Sequence, residues 1–173
     1  MHIDINVPEQ IDDLRGLMAG QEIHISGTIY SARDQAHIRM DAMLDRGEEL
    51  PFDLKNTLIY YMGPTPAKPG EIVGSAGPTT SGRMDSYTPR LLELGLPGTI
   101  GKGPRDEKVL ETMKKTNSVY FYAFGGCGAL YAEHIMNIQL VAFDDLGPEA
   151  VYRLTVRDFP LILAADAAGN SIF

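Results

Sequence analysis

The chain is 173 residues long, with 44% hydrophobic and 22% charged residues and a formal net charge of -8. Length and composition predict one globular domain over residues 1–173 with a sizeable core. The acidic balance argues against general affinity for nucleic acid or anionic membrane, and no run approaches the roughly 20 apolar residues that cross a bilayer. The opening MHIDINVPEQ lacks the basic and apolar regions of a secretory signal, so a cytoplasmic protein is expected.

In chain order, EIHISGTIY (22–30) alternates as a strand should. Residues 33–46 follow as a helix with Ile38, Met40, Met43 and Leu44 available to bury and Gly47 to end it. NTLIYYM (56–62) reads as a buried strand, GPTPAKPG as a loop, and 71–76 as another short strand. A turn at 77–82 leads into a helix over 84–94 that Pro89 should kink or interrupt. Residues 99–102 read as a strand end, 105–115 as an amphipathic helix, 119–123 as a strand, and 125–128 as the opening of a short helix towards His134. Strands over 138–143, 150–156 and 161–165 follow, joined by DDLG and RDFP turns, and AADAAGNSIF should give a turn and a last short strand. Strands and helices do not alternate strictly, so an α/β fold with a mixed sheet, or two sheet layers, is expected.

The richest local feature is GPTTSGRMD (77–85), between a predicted strand and a predicted helix. A helix N-terminus favours an anion through unpaired N–H groups and the helix dipole, and Thr79, Thr80 and Ser81 can all face one small ligand. Arg83 adds a planar fork for a carboxylate or phosphate. The plain alternative is that Thr79 or Thr80 only caps the helix. In GTIGKGP (98–104), Lys102 stands between two glycines that allow close approach of a ligand. In SARDQAH (31–37), Arg33 lies at a strand-to-helix junction; there the plain alternative is a solvated Arg33 beside a capping Asp34. Ligands of α/β folds gather beyond strand ends, so Arg33, Arg83 and Lys102 are expected to converge. Three cations brought together repel one another, an arrangement that suits a small dianion such as a four-carbon dicarboxylate.

The only cysteine, Cys127, excludes an internal disulfide, and neither a cysteine-ligated zinc nor an iron-sulfur cluster can be built from this chain alone. His24, His37 and His134 lack the spacing of a metal site, so no metal ligand is assigned.

GTIYSARDQAHIRM, IYYMGP, GPTTSGRMDSY, the GKG loop and FGGCGALYA, in that order, resemble the C-terminal domain of class I fumarases and the β subunit of L-tartrate dehydratase. The resemblance implies a swivelling β/β/α fold with a mixed sheet. It also implies a partner α subunit that binds a 4Fe-4S cluster through three cysteines, and a hydro-lyase reaction on fumarate and malate or on tartrate. By the same resemblance Thr79 is the candidate for proton transfer. Thr80 would supply a hydrogen bond, and Arg33, Arg83 and Lys102 would hold the substrate carboxylates, with Asp34 orienting Arg33. No cluster-binding role is carried over to Cys127. A β subunit of a two-chain fumarase is the first reading, with tartrate dehydratase beside it. The reading from another class is a non-catalytic carboxylate- or phosphate-binding module, and self-association is expected in the enzyme readings.

Overall fold

Period-two burial organises the sheet, because successive strand residues point to opposite faces. In strand β3 (Leu58–Tyr60), Leu58 and Tyr60 enter one apolar cluster and Ile59 the other, and in β5 (Val119–Tyr122) Val119 and Phe121 part company with Tyr120 in the same way. A computed structural model describes residues 1–173. Five further strands complete the sheet: β1 (Ile3–Val7), β2 (Glu22–Ser31), β4 (Gly98–Gly101), β6 (Ile135–Ala142) and β7 (Val151–Ala165). The order is β1-β2-β3-β4-β5-β7-β6, and β2 also pairs with β7, so β2, β3, β4, β5 and β7 close into a barrel. β1 to β5 run parallel to one another, whereas β7 is antiparallel to β2, β5 and β6. The expected α/β class with a mixed sheet is what the chain adopts.

One core fills the barrel with Ile23, Ile25, Ile29, Tyr60, Phe121, Leu154, Phe159 and Leu163. The other lies between the outer face and helices α1 (Asp34–Asp45), α2 (Thr88–Glu93) and α3 (Glu107–Thr116), with Met40, Ile59, Tyr61, Leu91, Val109 and Met113. α3 is capped at one end by Asp106, whose carboxylate accepts from Val109 N at 2.8 Å, and at the other by Asn117 in the left-handed conformation. Such an N-cap contributes about 1 kcal/mol. α4 (Gly128–Glu133) is short and begins after Cys127.

Several sequence expectations fail locally. Residues 71–76 form no strand: Thr65 N donates to Ser75 O and Gly74 N to Thr65 O, so these two join their own loop and not the sheet. The predicted helix 84–94 is a 3-10 turn (Ser81–Met84) followed by α2, in which Pro89 sits in the first turn, where its missing N–H costs nothing. α1 buries Ala36, His37 and Met40, while Ile38 faces solvent. RDFP is not a turn. It lies inside the 15-residue β7 as a bulge, with Asp158 at φ 49° and its N–H held by Ser26 Oγ at 2.9 Å. The last strand reduces to a single bridge between Ala165 and Ser171. β1 escaped the sequence reading. No helix is long and apolar enough to cross a membrane.

Candidate active site

The parallel strands β2, β3, β4 and β5 end at one rim of the barrel. β3 and β4 stay paired as far as Tyr61, whose N–H donates to Ile100 O at 2.9 Å, and beyond that point the GPTTSG turn is inserted. Thr79 N donates to Tyr61 O at 2.7 Å, Lys102 N to Thr79 O at 3.3 Å, and Ser81 N to Lys102 O at 2.9 Å. Thr80 and Lys102 thereby form a parallel bridge. The two sequence motifs are thus backbone neighbours although about 20 residues apart, an adjacency set by strand order.

Close approach here depends on Gly101, since a Cβ at that position would collide with Ser81 Oγ and stand 2.8 Å from the Tyr61 ring. Ser81 is fully buried, and its hydroxyl donates to Tyr120 Oη at 2.8 Å, because Tyr120 spends its own proton on Gly103 O at 2.7 Å. The expectation that Ser81 faces a ligand is therefore corrected: its hydroxyl holds the turn. Neither threonine caps the following turn through its side chain. Thr79 is 8% exposed and Thr80 lies open to solvent.

Arg83 belongs to the same turn, its N–H donating to Thr80 O at 3.3 Å. Its Nε donates to Asp34 Oδ1 at 2.8 Å, and Arg33 Nε donates to Asp34 Oδ2 at 3.2 Å. Asp34 is therefore a bridge between two arginines, not the plain helix cap that the sequence also allowed. Burial pushes its carboxyl up, but its own backbone N–H, Arg33 and Arg83 together hold it below the usual carboxylate range. Glu149 Oε1 also stands 3.2 Å from Arg33 Nε, and the Arg33 Cδ packs over Gly63, where a Cβ would come within 3.2 Å. The recorded pairings of both arginines run through Nε. No side-chain hydrogen bond engages the Nη atoms of either arginine, and those atoms carry the remaining donors of each fork.

Lys102 passes over the glycine loop after β5, where a Cβ on Gly125 would meet its Cδ at 3.4 Å and its Nζ at 3.8 Å. The same loop packs on the threonine turn: Gly128 O accepts from Ala76 N at 3.0 Å, and the backbones of Gly77 and Gly128 touch. Cys127 is partly buried beside this contact, and a single thiol cannot ligate a cluster.

Arg105 escaped the sequence reading. Its side chain is 0% exposed and donates from Nε to Asp85 Oδ1 (2.7 Å), from Nη1 to Thr99 Oγ1 (3.0 Å) and Tyr61 Oη (3.2 Å), and from Nη2 to Thr88 Oγ1 (2.7 Å). The rings of Tyr61 and Tyr120 lie near its guanidinium. Burial works against its charge, yet Tyr61, Asp85 and Tyr120 hold it protonated. His37 is also buried, with Nδ1 2.9 Å from Arg33 O and Nε2 without a partner. Burial, countered by the Arg33 carbonyl and reinforced by Arg105, pushes its imidazole down to about 4. The available signals were faint: Asp85 lies inside the threonine motif, but a charged residue beside Pro104 reads as surface.

The surface concavities do not include Arg33, Thr79, Thr80, Arg83 or Lys102. One of them, about 320 Å³, lies among Ile11, Lys55, Leu96 and Asn117, near the starts of the parallel strands. On the rim, Thr80 and Arg83 are exposed, Arg33 and Lys102 are half-buried, and Thr79 is buried.

The family described as Fumarase C-terminus matches residues 1–173. A Methanocaldococcus jannaschii protein provisionally named L(+)-tartrate dehydratase subunit beta is 41% identical over 167 residues, covering 93% of this chain and 86% of the relative. Fumarate hydratase 2 of Leishmania major is 36% identical over 99% of the chain, and the aerobic class I fumarate hydratase of Escherichia coli K12 is 36% identical over all of it. The chain spans only 31% and 32% of those two fumarases. On the full-length match and these identities, the chain belongs to the fumarase C-terminal family.

Proposed function

We propose that residues 1–173 are the cluster-free β subunit of a class I fumarate hydratase, a hydro-lyase interconverting fumarate and malate together with a second, cluster-bearing α subunit. The observation that carries this reading is the bridging of the Thr79–Thr80 turn to Lys102, with Arg33 and Arg83 joined through Asp34 on the same rim. Two arginine forks and an ammonium suit the two carboxylates of a C4 dicarboxylate. Thr79 is the group proposed to take the proton from the carbon next to the one that bears the hydroxyl. A hydroxyl is a weak base, and the cations beside it favour its alkoxide. Thr80 lies open to donate a hydrogen bond to substrate, and Asp34 orients both arginines.

The exposed Thr80 and Arg83 and the single cysteine support a second body that closes the site and brings the 4Fe-4S cluster. When bound there, the cluster supplies Lewis-acid activation of the departing hydroxyl. Dependence of activity on that subunit, a cytoplasmic location and higher assembly are parts of the same proposal. L(+)-tartrate dehydration is the second reading, favoured by the relative of similar length that carries a tartrate dehydratase name.

The test mixes this chain with its cluster subunit under anaerobic conditions and measures fumarate hydration and tartrate dehydration side by side. Fumarate turnover that disappears with Thr79→Ala, while the two chains still assemble, is the expected result. Tartrate turnover alone selects the second reading. Absence of both activities, with malate or phosphate still bound in calorimetry, would leave a carboxylate- or phosphate-binding module.

A further inference from the structure

At the opposite end of β2 from the threonine turn, the parallel register sets Asp4 beside His24. His2, just before the first strand, and Asp4 on it are two apart, and Glu22 and His24 are two apart on the second, so alternation puts Asp4, Glu22 and His24 on one face, with His2 stacked there on His24. That face is the outer one, since Ile5, Val7, Ile23 and Ile25 turn into the barrel. The His2 and His24 rings stack with centroids 3.8 Å apart and planes 6° from parallel. His2 Nε2 stands 3.3 Å from Asp4 Oδ1, and His24 Nε2 stands 3.1 Å from Glu22 Oε1. The ion-pair partners of these two carboxylates are the imidazoles, with neither Arg nor Lys among them. Ligating atoms of His2, Asp4 and His24 all lie within 4.8 Å of one another.

We propose that His2, Asp4 and His24, with Glu22 beside them, form a surface site for a divalent transition metal of the zinc class that clamps β1 to β2. Two imidazoles and a carboxylate are a donor set that zinc accepts, with water or Glu22 as the fourth ligand. Tetrahedral zinc with bonds near 2.0 Å needs ligand atoms roughly 3.3 Å apart, so no pair has to close by more than about 1.5 Å. His2 and Asp4 are exposed and His24 is half-buried, so rotamer changes accommodate this without moving the strands. The sequence gives no hint of the site, because its ligands meet across two strands some 20 residues apart.

The test uses the untagged full chain, stripped with a chelator and titrated with zinc chloride by calorimetry near neutral pH. One zinc per chain is expected, with micromolar affinity, and cobalt should give the visible absorption of a low-coordinate nitrogen and oxygen site. His2→Ala and His24→Gln should each weaken zinc binding by more than about tenfold, at least the loss that follows removal of a supporting group around a metal. His2 lies before the first strand, so its removal leaves folding intact, and circular dichroism checks the His24 variant. No saturable binding, one zinc per two chains, or unchanged affinity in both variants would overturn the proposal.

Discussion

Arg105 and the Arg33–Arg83 pair are a few residues apart in space and opposite in design. Every nitrogen of the Arg105 fork has a protein partner and the side chain is sealed from water. Arg33 and Arg83 share one carboxylate through Nε and make no other side-chain hydrogen bond, and their side chains are 25% and 54% exposed. A saturated arginine fixes elements in place. An arginine pinned at one atom is oriented yet still has capacity for an anion.

Removing the saturated arginine should produce the largest effect. Arg105→Ala leaves Asp85 buried without its partner, and breaking a buried pair costs about 3–5 kcal/mol, so urea denaturation should show a chain at the edge of folding. The neighbouring imidazole sharpens the point. His37 has a folded value of about 4 against an ordinary 6.5, so the unfolded chain binds the extra proton between those limits. Stability therefore falls as pH drops from about 6.5 to 4, by up to about 3 kcal/mol at 1.36 kcal/mol per unit, and levels off below. His37→Gln should remove that slope from the urea midpoint plotted against pH.

Effects on turnover come next. Thr79→Ala should cut the rate of the reconstituted enzyme by about a hundredfold or more, near 2.7 kcal/mol in the barrier, with the urea midpoint unchanged. Loss within tenfold removes Thr79 from the proton transfer. Arg33→Ala and Arg83→Ala should raise KM and lower kcat/KM by about 1.5–3 kcal/mol each, the worth of a charge-assisted hydrogen bond. Their stability should fall by no more than about 1 kcal/mol, the upper end for a solvent-reachable ion pair. A large stability loss in either would erase the contrast with Arg105.

The sequence made the rim legible because its parts carry local signatures: glycines around Lys102, hydroxyls at a turn, an arginine at a strand end. Their adjacency followed from the expectation that strand ends gather. Ser81 misled because it shares residue type with Thr79 and Thr80, and only burial against Tyr120 tells it apart. RDFP looked like a turn by composition, since Asp and Pro punctuate both turns and bulges. Arg105 was invisible for a related reason: charge marks surface in composition, and only packing shows a charge enclosed.

The long closing strand sets the order in which this chain can assemble. β7 must pair with β2, some 130 residues earlier, before the barrel has a seam. Contacts of such separation pay their loop-closure entropy late, which predicts slow folding. A nascent chain halted before Val151 would hold β2 and β5 with bare edges, an invitation to pair with other chains. Synthesis of the last strand, more than any earlier step, decides when the rim exists at all.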